Sequence, residues 1–239
     1  KNSLSYSGVV SLLQDRSGAI WAGTWGGGLN RLDPATGRFT RYRHDDADPD
    51  SLSNDIVLAL YEDSRGRLWV GTNGGGLDLF DPAGGKFIHY TQDPERPDSL
   101  SSNHVSAILE DPSGLLWVGT GGFGTPGSGL NRFNPASGTA TVFHSDPDDP
   151  RTLSSDTISA IVRGPDGALW IATGAYAVPG GGLNRFDPAS GVFTRYQHQP
   201  DAPKSLGGND ILGLFIDPSG VLWVALYGAG LDRLDLTRL

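Results

Sequence analysis

The sequence predicts an all-β fold built from five copies of one unit, and three observations support this prediction. Tryptophan recurs at intervals of 48, 48, 53 and 53 residues. Apolar runs of four to seven residues, rich in β-branched and aromatic residues, are bounded by Gly, Pro, Asp or Asn, as is typical of strands. None of these runs has the length and 3.6-residue periodicity of a helix. The recurring tryptophans are Trp21, Trp69, Trp117, Trp170 and Trp223.

Each unit contains four such runs in the same order. The first strand (VVSLLQ in the first unit) precedes the tryptophan-containing second strand (IWAGT), and a third strand (LNRLD) and a fourth (RFTRY) follow. Units of this length with four strands each predict the blades of a β-propeller. We expect one domain over residues 1–239, with repeats at approximately 5–50, 51–98, 99–151, 152–204 and 205–239.

Short turns join the strands at one end of each unit. Four units place Asp first and Gly fourth between the first and second strands, as in Asp15–Gly18, which is type I turn chemistry; Gly164 replaces the Asp in unit four. Asp-Pro or Asn-Pro follows the third strand in the first four units. These turns are uniform, so the length variation falls on the opposite end, where the second strand meets the third.

The fifth unit lacks a fourth strand, since the sequence stops soon after GLDRLD. Two arrangements are compatible with this pattern: a closed five-bladed ring with a three-stranded last blade, or an arc of a larger propeller. The third residue of every first strand is small, as expected where strands crowd at a ring centre: Ser11, Ala59, Ala107, Ala160 and Gly213. We expect the five tryptophans to fill the spaces between blades as core residues.

Composition restricts the function classes. The net charge of −9 argues against a nucleic-acid partner or an anionic membrane surface, since both require basic patches. The absence of cysteine excludes disulfides and thiolate metal sites. No apolar stretch reaches 18 residues, so no direct membrane insertion is expected.

The repeated pattern LWVGT, GGGL, FDP and a final aromatic strand resembles the two-component regulator propeller repeat over essentially all of residues 1–239. This resemblance implies a bacterial extracytoplasmic sensor propeller that takes part in signal transduction and is not an enzyme. It further implies a periplasmic or extracellular location and a carbohydrate ligand.

Candidate ligand-binding residues lie on the face formed by the turns between second and third strands and by the long connections between units. Loops that vary over a constant scaffold are common binding sites. Four units place an aromatic in this turn and the second unit places an amide; we predict that they form a rim. Asx residues just before the first strands would supply polar contacts. The predicted rim is Trp25, Asn73, Phe123, Tyr176 and Tyr227, with Asp55, Asn103, Asp156 and Asn209.

Two alternatives give these residues purely structural roles. The aromatics would pack under their own loops, and the Asx side chains would bond their own backbone turns. The partner is predicted to be an oligosaccharide or small molecule, or alternatively a protein domain that uses the propeller as an assembly scaffold; an oligomer is left open. A lyase or hydrolase is the third possibility.

No residue is assigned a catalytic role, and no cofactor or metal is expected. The acidic connection around Asp45, Asp46 and Asp48 lacks EF-hand spacing and is interpreted as a set of solvated turn acids. The five histidines lack ligand spacing. No Gly-x-Ser-x-Gly motif is present, and the glycine runs lead into strands, not into phosphate-binding helices.

Overall fold

A computed structural model of the protein describes residues 2–238. These residues form strands and a single short 3-10 helix, Leu236–Arg238. In chain order the strands are β1 (Val9–Gln14), β2 (Ile20–Thr24), β3 (Leu29–Asp33), β4 (Arg38–Tyr42), β5 (Val57–Glu62), β6 (Leu68–Thr72), β7 (Leu77–Asp81), β8 (Lys86–Tyr90), β9 (Val105–Glu110), β10 (Leu116–Thr120), β11 (Leu130–Asn134), β12 (Thr139–Phe143), β13 (Ile158–Arg163), β14 (Leu169–Thr173), β15 (Leu183–Asp187), β16 (Val192–Tyr196), β17 (Ile211–Ile216), β18 (Val221–Leu226) and β19 (Gly230–Asp235).

The strands form five sheets with sequential strand order, one sheet per repeat. Blades 1 to 4 are β1–β4, β5–β8, β9–β12 and β13–β16, and blade 5 is the three-stranded sheet β17–β19. Neighbouring strands are antiparallel wherever the register is described. The predicted all-β propeller class is therefore confirmed, as is the absence of a fourth strand from blade 5 among the described residues.

A β-bulge near the start of the first strand recurs in four blades. In blade 2, Val57 lies opposite Thr72 but Ala59 lies opposite Gly71, so Leu58 is the extra residue. The same shift occurs in blades 1, 4 and 5. Because side chains alternate along the paired strand, the bulge places the first and fourth residues on one face and the third and fifth on the other.

These two faces pack against different neighbours. Val57 and Leu60 pack with Trp21 and Leu29 of the preceding blade. Ala59 and Tyr61 pack with Val105 of the following blade. The fit against the preceding blade is close, because a Cβ atom added to Gly23 would lie 2.6 Å from Cγ1 of Val57. A glycine is required here by the approach of the neighbouring strand, not by its own φ angle.

The second-strand tryptophans of blades 1, 2 and 4 occupy the interfaces with the following blade, as predicted, whereas Trp223 of blade 5 is only half-buried. Trp69 is fully buried beside Val105 and Phe133, and Trp170 is buried beside Ile211 and Leu222. Aromatic residues of the third and fourth strands join them: the ring centroids of Tyr42 and Phe80 are 4.9 Å apart. Aromatic rings therefore contribute to the contact between successive blades together with aliphatic side chains.

The chain divides into two compact units. One comprises the residues up to 118 together with 132–140, and the other comprises 119–131 and the residues from 141 onward. Blades 1 and 2 lie in the first unit and blades 4 and 5 in the second, while blade 3 contributes to both. The single-domain organisation and the repeat boundaries stay predictions.

The first and last blades each expose a face that is buried elsewhere in the repeat. Leu12 is 68% exposed, whereas its counterpart Ile108 is 8% exposed. Leu231 in blade 5 is 60% exposed, whereas its counterpart Leu77 is 0% exposed. These two apolar side chains are therefore exposed at positions that are buried in blades 3 and 2.

A hydrogen bond from tryptophan to the turn aspartate fixes the tryptophan ring in several blades. Trp69 Nε1 donates to Asp63 Oδ2 at 2.9 Å, and the equivalent distances are 2.7 Å from Trp21 to Asp15 and 2.9 Å from Trp223 to Asp217. Blade 4 departs from this pattern because Gly164 has no carboxylate. The buried Nε1 of Trp170 accordingly has no hydrogen-bond partner.

We expect Asp63→Ala to lower the free energy of unfolding by about 3 kcal/mol, since the buried Trp69 N–H and two backbone amides lose their acceptor. Urea unfolding followed by fluorescence measures this change. Asp81→Ala is the matched control: its side chain is exposed and accepts a bond from the Ala83 amide, so the loss should stay below about 1 kcal/mol. Equal losses in the two variants would contradict this role for Asp63.

Acid should weaken the fold through Asp217. Hydrogen bonds from Ser219, Trp223 and Val221 lower the pKa of its carboxyl to about 2. Because the folded-state pKa lies below the ordinary value of 3.8, the carboxylate stabilises the fold above that pH, and its contribution disappears as the pH falls towards about 2. NMR titration of the side-chain carboxyl should show a higher pKa in Ser219→Ala and no change in Ser190→Ala, whose hydroxyl bonds Asp187 instead. An unaltered pKa in Ser219→Ala would refute this explanation.

Candidate functional site

A threonine at the end of the second strand holds together the turn that follows it. In blade 1, Thr24 Oγ1 donates to the Gly28 carbonyl at 2.8 Å and accepts from the Gly27 amide at 3.0 Å. Thr120 and Thr173 make the same pair of bonds, to Gly129 and Ser128 and to Gly182 and Gly181. The two longer turns are therefore closed at their base in the same way as the short ones. We call this arrangement the threonine clasp.

The five extra residues of each longer turn project beyond the threonine clasp as a small hairpin. Gly122 pairs with Thr125, and Ala175 pairs with Val178. Phe123 and Tyr176 are consequently the first corner residues of two tight turns, as their matched positions in the sequence predict. The turns differ in backbone conformation, because φ is positive at both corners of the first turn and only at the second corner of the other. Phe123 has φ +36° and Ala177 has φ +61°, values at which side chains other than glycine are strained.

The tips of the two hairpins touch each other. The Gly124 amide donates to the Tyr176 carbonyl at 2.8 Å. Tyr176 in turn lies edge-on to Tyr227 of blade 5, with ring centroids 5.8 Å apart and planes at 90°. Phe123, Tyr176 and Tyr227 are 49%, 56% and 50% exposed. We call these three residues the loop aromatic patch.

The base of each hairpin is anchored to the blade that follows it. The Gly127 amide donates to Thr157 Oγ1 at 2.9 Å, and the Gly180 amide donates to the side chain of Asp210. A Cβ at Gly127 or Gly180 would overlap backbone carbonyls of the next blade, so neither position tolerates a larger residue without displacing the loop. The hairpins that carry Phe123 and Tyr176 are thus held at their bases by hydrogen bonds to the following blade.

The other two predicted rim residues belong to the first compact unit. Trp25 is half-buried, and its amide donates to the Gly8 carbonyl. Asn73 Oδ1 accepts a hydrogen bond from Nδ1 of His104 at 2.9 Å. The structure therefore brings together three of the five predicted rim residues, Phe123, Tyr176 and Tyr227.

The four Asx residues predicted as polar contacts all have structural partners. A side-chain oxygen of each accepts a hydrogen bond from the backbone amide two residues after the end of a fourth strand. The distances are 2.9 Å for Asp55, 2.6 Å for Asn103 and 2.7 Å for Asn209. Asp156 does the same for Ser145. Their carbonyls accept the glycine amides at the end of the turns. This geometry matches the alternative in which Asx residues bond local backbone, and a ligand role for them stays a prediction.

Asp55 also binds Arg43, whose Nη2 lies 2.7 Å from Oδ2. The carboxylate therefore accepts hydrogen bonds from the Arg43 guanidinium as well as from the His44 amide. Within residues 2–238, no group of three or more His, Asp or Glu is placed to hold a metal ion. The same residues contain no helix long and apolar enough to cross a membrane.

The repeats of this chain match a known family model. The two-component regulator propeller model matches residues 3–26, 51–74, 99–122 and 152–175, which cover the first two strands of blades 1 to 4 and the first two residues of the turn that follows. Blades 1 to 4 therefore contain two-component regulator propeller repeats. No curated protein matches it.

Solved structures resemble this chain in fold. The extracellular domain of BT4673 from B. thetaiotaomicron, described as a one-component or hybrid two-component system, superposes with a TM-score of 0.73 at 20% identity over 95% of this chain. The chain spans 27% of that domain. The extracellular domain of the hybrid two-component system BT3049 from the same organism gives 0.54 at 19% identity, over 97% of this chain and 40% of that one.

An enzyme shares the fold as well. Streptogramin B lyase superposes with a TM-score of 0.61 at 19% identity, over 98% of this chain and 71% of the lyase. Identities this low establish similarity of fold only. The chemistry must therefore be inferred from the side chains of this chain.

We expect Asn209→Ala to lower the free energy of unfolding by roughly 1–2 kcal/mol, because the His198 amide loses its acceptor at the base of the loop face. Urea unfolding provides the measurement. Gln199→Ala, an exposed side chain in the same connection, should change stability by less than about 0.5 kcal/mol. If Asn209→Ala were as stable as the wild type, its carboxamide would be free for another role.

Proposed function

We propose that this chain is a non-enzymatic sensing module that binds a carbohydrate through the loop aromatic patch. The observation that supports this function is the exposure of three aromatic rings from blades 3, 4 and 5 on adjoining loops of one face. Flat apolar rings stack on the apolar faces of sugar rings, and contiguous exposed aromatics mark binding surfaces more often than isolated ones do.

The family-model match supports a sensing role. The two-component regulator propeller model matches four of the five repeats, and the two structural relatives from B. thetaiotaomicron are extracellular domains of signalling systems. By this relationship we place the chain in the periplasm or outside the cell. The ligand would then bind this chain outside the cytoplasm, and any cytoplasmic signalling domain would lie on the other side of the membrane.

Rigidity suggests how binding would be transmitted. Each hairpin is fixed at its base by a threonine clasp and by hydrogen bonds to the next blade. A ligand bound to the loop aromatic patch would therefore change the conformation of the hairpins very little. Sensing would therefore proceed through a ligand-dependent contact with a neighbouring domain or a second subunit.

The test is direct binding to an array of immobilised oligosaccharides, followed by calorimetry with the best binder. We expect the triple variant Phe123→Ala, Tyr176→Ala, Tyr227→Ala to lose about 100-fold in affinity, or about 1 kcal/mol for each ring. Phe215→Ala is the matched control, since Phe215 is an equally exposed aromatic (62%) of blade 5 outside the patch. Unchanged sugar affinity in the triple variant would place the site elsewhere.

A protein partner is the second candidate, and the same exposed aromatic residues favour it, since tyrosine and phenylalanine are enriched at the cores of interfaces. Failure of every oligosaccharide to bind, together with loss of a partner domain on substitution of the patch, would replace the carbohydrate function with this one. The patch itself is then retained and only its occupant changes.

A further inference from the structure

The connection that precedes blade 2 is fastened to that blade by a histidine. His89 lies on β8, and its Nε2 is 3.0 Å from the carbonyl oxygen of Pro49, in the connection between β4 and β5. Its Nδ1 lies 2.7 Å from Oδ1 of Asp78 on the adjacent strand β7. All three residues belong to the first compact unit. His89 thus joins the connection to the sheet.

Both ring nitrogens of His89 face an acceptor. A carbonyl oxygen can only accept a hydrogen bond, and the same is true of an ionised carboxylate. Asp78 is fully buried, and its second oxygen, Oδ2, accepts the Ser53 amide at 2.9 Å. The arrangement therefore requires both nitrogens of His89 to donate, which only the protonated imidazolium can do.

Blade 4 fastens its own connection with a cation that does not titrate. The positions of His89 and Asp78 are taken there by Arg195 and Asn184, which pair in the same register. The Arg195 guanidinium donates to the carbonyls of Asp149 and Thr152, both at 2.9 Å. Blade 1 likewise has Arg opposite Asn. Blade 2 therefore uses a charge that depends on pH where two other blades use a permanent one.

The surroundings of His89 favour the imidazolium. The hydrogen bond to Asp78 raises the pKa of His89 above the ordinary value of 6.5, helped by the charge of Asp78, the Pro49 carbonyl and the charge of Asp50, although burial opposes them. Asp50 is itself paired with Lys86 on β8, at 2.6 Å. The other titratable groups around the ring line the same cavity: His44, Asp45, Asp46 and Asp48.

Loss of one proton breaks the bond to the connection. The hydrogen on Nδ1 stays, because the buried carboxylate of Asp78 would otherwise lose its donor, so the proton leaves from Nε2. The Nε2 lone pair then faces the Pro49 carbonyl oxygen, and two acceptors 3.0 Å apart repel each other. The adjoining cavity of about 350 Å³ has room for water to bind the carbonyl once it is released.

We propose that His89 is a pH-sensitive latch for the connection formed by residues 45–51. The protonated ring holds this connection against blade 2, and the neutral ring releases it. Because the pKa of His89 is raised in the folded protein, the stabilisation is fully present below the ordinary value of 6.5. It is lost as the pH rises through the higher pKa of the folded state.

The test follows the mobility of the connection directly. The chain has no cysteine, so Ala47→Cys, at an exposed position, takes a single nitroxide label on the whole protein. We expect the ratio of mobile to immobile label in the electron spin resonance spectrum to rise about ten-fold between about pH 5.5 and about pH 9, since a hydrogen bond from a charged donor is lost. An unchanged ratio would overturn the proposal.

Variants in the labelled protein assign the change to His89. His89→Arg should stay immobile at both pH values, as the Arg of blades 1 and 4 stays charged, and His89→Ala should be mobile at both. His44→Gln is the matched control: it removes the other imidazole that lines the cavity and should keep the wild-type response. A pH response in both His89 variants, or its loss in His44→Gln, would refute the latch.

A second measurement does not depend on any substitution of His89. NMR titration of the His89 ring nitrogens should show both of them protonated below the transition and should give the same midpoint as the nitroxide signal. A midpoint for the ring that differs from that of the connection would show that another group controls the connection, and would also overturn the proposal.

Discussion

Close approach of successive blades is the constraint on which the rest of the structure depends. A single blade is only a small twisted sheet with two apolar faces, and it cannot bury both of them by itself. Burial is achieved where an apolar side chain of one first strand meets a residue without a side chain in the preceding blade, as Val57 meets Gly23 and Val105 meets Gly71. The bulge in the first strand decides which residues face which neighbour: the first and fourth residues face the preceding blade, and the third and fifth face the following one.

This tight scaffold leaves one end of the molecule free to vary. The threonine clasp closes a four-residue turn in blade 1 and a nine-residue turn in blade 4 with the same two bonds. Five residues can therefore be inserted without moving the strands on either side. The inserted hairpins carry Phe123 and Tyr176, so the part of the sequence that departs from the repeat is also the part that presents the exposed rings.

The sequence alone sufficed for the blades because tryptophan spacing, turn residues and strand composition all agree. It was less informative wherever a residue acts through its backbone. The residue type of Leu58 does not show that it is the extra residue of a bulge. The hydrogen bond that Asn103 accepts from the Gln92 amide depends on where two chain segments meet. The threonine clasp could have been found, since Thr ends the second strand in four of five units. The edge-to-face contact of Tyr176 and Tyr227 could not, because it depends on the loop path.

The exposure of Leu12 and Leu231 has a consequence for local unfolding of the strands nearby. In a repeat array, stability is the sum of each repeat and its contacts with adjacent repeats, so a strand that buries less apolar surface is held less firmly. Leu12 and Leu231 are exposed where their counterparts Ile108 and Leu77 are buried, so β1 and β19 bury less apolar surface. Amide hydrogens of β1 and β19 should thus exchange with solvent through local fraying, whereas those of β6 and β14, whose side chains are wholly buried, exchange only when larger parts of their units open.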